Sequence, residues 1–251
     1  MTPEVHTRFI VFTTNRSGSE WLISSLNSLP SVTAHGELFL PRKRVAERRW
    51  DSEFAYPRYI ETQPKGLAPR PFSVFTYLDD LYKTPGAVGF KLMYLQLALY
   101  PEIFAYLIRH HVLVIHLSRR NSLDVLLSYA VKAKIGQAHL LSGQPFPGDL
   151  TVTLDTENLI RKLRWLQQQR SIAHHLLSTS RLPHIEVVYE DLLQDPRYFQ
   201  RICDFLDIPM RGITPGSTLV KIRRGTQRDV ISNYEQVRQT LAGSQFTELV
   251  E

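Results

Sequence analysis

Short apolar runs rich in β-branched and aromatic residues recur along this chain, separated by longer stretches with helical spacing. The strongest runs are Phe9–Thr13, Ala87–Met93, Val112–Leu117 and Ile185–Tyr189, with a weaker one at Val32–Ala34. Stretches such as HVLVIHL lack the polar alternation of a strand with one wet face, so they predict strands covered on both sides. Apolar residues three and four apart predict helices over Glu20–Leu29, Phe72–Lys83, Tyr94–Arg109, Asn121–Lys134, Thr156–Ser178 and Pro196–Leu206. Strands alternating with helices predict an α/β fold of three layers, a central parallel sheet with helices on both faces. Such sheets bind ligands at the carboxyl ends of their strands, which directs attention to the residues just after each run.

Two stretches break the pattern. Residues 41–71 hold five prolines, and residues 136–150 are rich in glycine and proline. Long irregular segments in compact domains tend to be binding loops, so both are expected beside a ligand pocket. A length of 251 residues fits one large domain or two small ones, and 43% apolar content is ample for a core; a single domain over 1–251 is expected. No run approaches the roughly 18 apolar residues of a spanning helix, and MTPEVHTRF lacks the apolar core of a secretion signal. The single cysteine, Cys203, fits a reducing cytoplasm and an inert place in the core.

Charge sharpens the picture. Residues 41–72 carry eight Lys/Arg against four Asp/Glu, and residues 220–229 carry four against one. These two surpluses exceed the net +6 of the chain, so the remainder is near neutral. Two local basic patches predict anionic ligands. Nucleic acid is not expected, because the chain has no zinc knuckle, repeated aromatic-basic motif or helix-turn-helix pattern. The adjacent pairs His110-His111 and His174-His175 point apart on any regular element, so no metal site is expected.

The candidate chemistry begins at TTNRSGSEWL, Thr13 to Leu22. It reads as the turn from a strand into a helix, which offers backbone N–H groups and a positive dipole end to one anion. Arg16 adds a planar cation, Gly18 permits close backbone approach, and Ser17 and Ser19 add hydroxyls. The loop lacks the second glycine, lysine and magnesium-holding hydroxyl of G-x-x-x-x-G-K-[ST], so ATP hydrolysis is disfavoured while an oxyanion remains. After the Val112–Leu117 run, Asn121 is a good N-cap. Ser128, on the same helix face as Asn121 and Asp124, points back toward Arg120 at the strand end. Arginine and serine there suit a second phosphate.

Four segments resemble the motifs of sulfotransferases that use 3′-phosphoadenosine 5′-phosphosulfate. Arg16-Ser-Gly-Ser-Glu-Trp is similar to the 5′-phosphosulfate loop, and Arg120 to Ser128, R-x7-S, to the 3′-phosphate motif. Tyr189-Glu-Asp-Leu resembles the segment whose tyrosine lies near the adenine, and Lys221–Gly225, KIRRG, the C-terminal loop that closes over the 3′-phosphate. HGELF, GFKLMY and NYEQVRQTLAGSQF resemble the bacterial carbohydrate branch of nodulation-factor, lipopolysaccharide and trehalose type. Departures are Asn15 where proline is common, Glu20 where relatives carry a hydroxyl residue, and Val230 where the aryl branch has tryptophan.

The resemblance implies a sulfotransferase fold and a phosphosulfate co-substrate without a metal. The acceptor implied is a hydroxyl on a carbohydrate or glycolipid, with a peptide tyrosine or small metabolite as alternatives. It implies Glu37 as general base, with Arg16 and Lys91 at the transferred group. Arg16, Ser17, Gly18, Ser19, Arg120, Ser128, Arg223, Arg224 and Gly225 then bind the two phosphate ends, Trp21 and Tyr189 sandwich the adenine, and Glu20 points away. Arg120 is preferred to Arg119 for its spacing to Ser128. Without the resemblance, Glu37 reads as a surface carboxylate and Lys91 as half of an ion pair. A nucleotide-dependent kinase and a non-catalytic binder of anions or nucleic acid are the rivals of other classes.

Overall fold

The computed structural model describes residues 6–41, 56–62, 70–136, 140–141, 150–210, 216–217, 219–220 and 225–250. Strands β1 (His6–Thr13), β2 (Val32–Glu37), β3 (Gly86–Met93), β4 (Leu113–Ser118) and β6 (His184–Val188) form one sheet in the order β2-β3-β1-β4-β6. Every pairing in it is parallel. The fifth strand, β5 (Leu140–Leu141), pairs antiparallel with β7 (Leu219–Val220) away from this sheet.

The continuous apolar runs do what two-sided burial requires. On β1, Ile10 and Phe12 enter one core layer while Phe9 and Val11 enter the other. The first layer joins Val88, Phe90 and Leu92 of β3 to helices α2 (Phe72–Leu81) and α4 (Glu102–Arg109) and to the C-terminal half of α6 (Leu159–Thr179). The second joins Ile115, Leu117 and Val187 to α1 (Ser19–Asn27) and α8 (Pro196–Phe205). The α/β architecture with helices on both faces of a parallel sheet is therefore present. Fully buried Phe9, Ile10, Phe90 and Leu92 each contribute about 1.5–3 kcal/mol by leaving water. A third cluster packs α5 (Ser122–Ile135) and the N-terminal half of α6 against α9 (Gln227–Val230) and α10 (Tyr234–Leu241). Cys203 is fully buried in the second layer, and burial pushes its thiol up to about 11.

Two expectations change. The single helix predicted over Tyr94–Arg109 is two, α3 (Tyr94–Leu99) and α4. Pro101 cannot donate to a helix interior and pushes Tyr100 out of the helical region, to φ −129° and ψ 66°. Tyr189 does not end the last long run; β6 stops at Val188, and Tyr189 opens α7 (Tyr189–Gln194). The expected pocket loops at 41–71 and 136–150 lie largely outside the described residues. Among the described residues, no helix is long and apolar enough to cross a membrane.

Candidate active site

The turn from β1 into α1 carries two residues at positive φ, Arg16 at 63° and Gly18 at 88°. Gly18 has to be glycine for a second reason: a Cβ there would stand 2.1 Å from Cδ2 of Tyr189. The loop backbone thus lies against the face of a ring from the far end of the sequence. Beneath it, Thr13 Oγ1 lies 2.7 Å from both the Leu117 carbonyl and Ser17 Oγ, which anchors the loop to β4. Ser17 and Ser19 are buried. Burial depresses the pKa of the Arg16 guanidinium and Arg119 adds repulsion, while Tyr129 and Glu20 act the other way. A charged group so desolvated is stabilised by an incoming anion.

Ser128 meets this loop. Arg16 Nε donates to Ser128 Oγ at 2.9 Å, across 112 residues of sequence. Helix α5 delivers the serine because Asn121 caps its start, accepting from the N–H groups of Leu123 at 3.0 Å and Asp124 at 3.2 Å. Arg120 does not share Ser128. It is 60% exposed and pairs with Asp191 at 2.5 Å.

The arginine at the centre is Arg119. It donates to the Arg16 carbonyl at 3.3 Å, pairs with Asp124 at 3.1 Å and Glu190 at 3.3 Å, and lies over the Tyr189 ring at 5.5 Å. Asp124 also accepts from Gln227 at 3.2 Å, just after the KIRRG segment. Arg223 and Arg224 lie outside the described residues, but Gly225, at φ 86°, is within them. Spacing to Ser128 selects Arg120, whereas strand alternation selects Arg119. It continues the side of β4 on which Ile115 and Leu117 face α1, and that period-two signal was present in the sequence.

The expected aromatic sandwich is not formed. Trp21 and Tyr189 meet edge to face, with centroids 6.1 Å apart and planes at 79°, so no slot lies between them. Gly18 lies close against the Tyr189 ring.

A second cluster forms where β2 and β3 end. Lys91 lies on the side of β3 opposite Phe90 and Leu92, facing α1. It pairs with Glu37 at 3.0 Å and forms a close ion pair with Glu20. Glu20, expected to point away from a bound phosphate, turns onto Lys91 from the first turn of α1. An unpaired buried ammonium costs several kcal/mol, and two carboxylates offset that cost. Glu37 is buried, not a surface carboxylate. Its second contact is Gln96, whose Oε1 accepts from the Met93 N–H at 3.0 Å, which leaves Nε2 to donate to Glu37 at 3.1 Å. A β-bulge brings Glu37 there, since His35 pairs with Phe90 but Glu37, two residues on, pairs with Lys91.

On the other face of the sheet, buried His116 bridges Tyr94 Oη at 2.6 Å and Glu186 at 2.7 Å. Burial raises the Tyr94 phenol. Burial also raises Glu186, but hydrogen bonds and charge from His116 and His174 outweigh it and hold the carboxyl below its ordinary value. Among the described residues, no group of three His, Cys, Asp or Glu is placed to hold a metal.

Fold and site together define a parallel α/β protein with a tight turn carrying Arg16 at the carboxyl edge of its sheet and, on β2, a buried carboxylate, Glu37, paired with Lys91. Over 97% of its length the chain is similar to a crystal structure of a sulfotransferase from Alicyclobacillus acidocaldarius, 95% of which is covered, at 13% identity and a TM-score of 0.47. No protein-family profile matches the chain, and no curated protein matches it.

Proposed function

We propose that the protein is a sulfotransferase that moves a sulfuryl group from 3′-phosphoadenosine 5′-phosphosulfate to a hydroxyl, carried by a carbohydrate or glycolipid. One observation supports this most: segments far apart in sequence meet at one loop. Arg16 reaches Ser128, Arg119 ties the loop to Asp124 and Glu190, and Gly18 lies on Tyr189. Residues from both ends of a bisphosphorylated carrier's binding surface then converge on one corner.

In this reading the acceptor oxygen attacks sulfur in line while the bond to the bridging oxygen breaks. Arg16 and the N–H groups from Ser17 to Ser19 face the charge that grows on the leaving oxygen. Glu37 takes the acceptor proton, a contribution on the order of 10²–10⁴-fold. Lys91 and Gln96 keep that carboxylate oriented, and Lys91 faces the transferred group. Ser128, Arg120, Arg223, Arg224 and Gly225 hold the 3′-phosphate. Donor binding here requires Tyr189 or Trp21 to shift if adenine is to stack on either ring.

Thermal melts with 3′,5′-bisphosphoadenosine, ATP with magnesium, and RNA test the donor. Ligand at 100 times its dissociation constant stabilises by about 2.7 kcal/mol. Stabilisation by the bisphosphate alone is expected; a shift with ATP and magnesium alone assigns a kinase, and one with RNA alone a nucleic-acid binder. Labelled-donor transfer to sugars, glycolipids, phenols and peptides then identifies the acceptor.

A further inference from the structure

Helix α6, Leu159–Thr179, contains Arg161, Lys162, Arg164 and Arg170 and no Asp or Glu. Its packing is met by one stripe, Leu159, Leu163, Leu166, Ala173 and Leu177. Two large apolar side chains nevertheless face outward, Trp165 at 54% exposure and Ile172 at 56%. At about 100° per residue, Arg161, Trp165, Gln168, Ile172 and His175 form one ridge opposite the buried stripe, with Arg164 beside it. Single exposed apolar residues are ordinary. A tryptophan and an isoleucine two turns apart on a ridge free of acid are not scattered singly.

The charge on this ridge is largely uncompensated. Lys162 is neutralised by Asp155 at 2.8 Å. Arg161 donates only to the uncharged Asn158 amide oxygen, at 2.7 Å, and Arg164 makes no ion pair among the described residues. Because α6 leads directly into β6, it runs antiparallel to the strands. Its first turns pack with Leu123 and Leu127 of α5, and its last with Val112 and Val114 at the start of β4. The Arg161–Trp165 end therefore stands at the level of the strands' carboxyl ends, on the edge of the sheet beside the candidate site.

We propose that this ridge docks the protein on an anionic lipid surface, with Trp165 and Ile172 entering the headgroup boundary while Arg161 and Arg164 meet lipid phosphates. The ridge is convex and its apolar residues are flanked by cations, which suits a deformable anionic surface. Tryptophan, apolar with one polar N–H, favours that boundary. This docking does not depend on sulfuryl transfer and stands or falls separately from it.

The test is co-sedimentation of the full chain with phosphatidylcholine vesicles, either pure or containing about one-third phosphatidylglycerol, at about 0.1 M salt. Binding is expected only to the anionic vesicles, falling as salt rises. Trp165→Ala/Ile172→Ala should weaken it about tenfold or more, and Arg161→Gln/Arg164→Gln about fivefold per charge. Ile108→Ala, also exposed but on α4, should change nothing. All these positions face solvent, so unchanged melting temperatures should show intact folds. As a second reading, tryptophan emission should shift to the blue with anionic vesicles, and Trp165→Phe should remove the shift. Failure to sediment, equal binding to neutral vesicles, or wild-type binding by the Trp165/Ile172 variant overturns the proposal. Displacement of the vesicles by RNA or an acidic polypeptide likewise overturns it and gives the ridge to that partner.

Discussion

Gly18→Ala is the most direct test of the geometry around the loop. The added methyl would lie 2.1 Å from Tyr189 Cδ2 and 2.4 Å from Cε2, and the backbone is held at φ 88°. A side chain in the left-handed region costs about 1–2 kcal/mol. Relieving the contact requires the buried Tyr189 ring to retreat by more than an ångström, and comparable overpacking costs about 1–3 kcal/mol. The sum is about 2–5 kcal/mol, and in a chain of this size each kcal/mol moves the melting temperature by about 2–4 °C. Calorimetry should therefore record a fall of about 4–20 °C. Gly18→Ala/Tyr189→Ala removes the clash and keeps the backbone cost and the loss of the ring, so the double variant should lose less than the two single losses added. A Gly18→Ala protein that melts within a degree of wild type would refute the packing of this loop on Tyr189. Strict additivity in the double variant would refute the direct contact.

Under the proposed reaction, Glu37→Gln should retain binding of 3′,5′-bisphosphoadenosine and lose about 10²–10⁴-fold in turnover; normal turnover in labelled-donor transfer removes Glu37 as base. Arg119→Ala leaves Asp124 and Glu190 without their shared cation and should cost about 3–5 kcal/mol in denaturant unfolding. Arg120→Ala, mostly exposed, should stay within about 1 kcal/mol of wild type and instead weaken bisphosphate binding. Equal stability losses in the two arginine variants would contradict their different burial. In acid, Glu186, Glu102, Asp195 and Asp229 have folded pKa values below their ordinary ones, and Asp155 is lowered from 3.8 to about 2. Their stabilisation is present above the ordinary carboxylate range and is lost as pH falls through the lowered values, so the melting temperature should drop below about pH 4. A melting temperature unchanged between neutral pH and about pH 2.5 excludes that linkage.

Much of the architecture was legible because burial on two sides demands apolar runs and burial on one side of a helix demands a stripe. Residues 9–13, 87–93 and 112–117 could therefore be read as strands, and the segment after the first as a tight turn into a helix, with no knowledge of their neighbours. The partition of Arg119 from Arg120 was also written in the alternation of β4, though the spacing to Ser128 favoured the other residue. Four features were decided only by the folded chain. The bulge between His35 and Glu37 turns the carboxylate onto Lys91; strict alternation would have aimed it to the opposite face. Glu20 closes on Lys91, Ser128 is taken by Arg16, and Trp21 meets Tyr189 by its edge. Local sequence encodes which face of an element avoids water, because that preference belongs to each residue. Which side chain ends opposite which depends on register and bulges set by strands far apart in the chain, so those partners exist only once the sheet has formed.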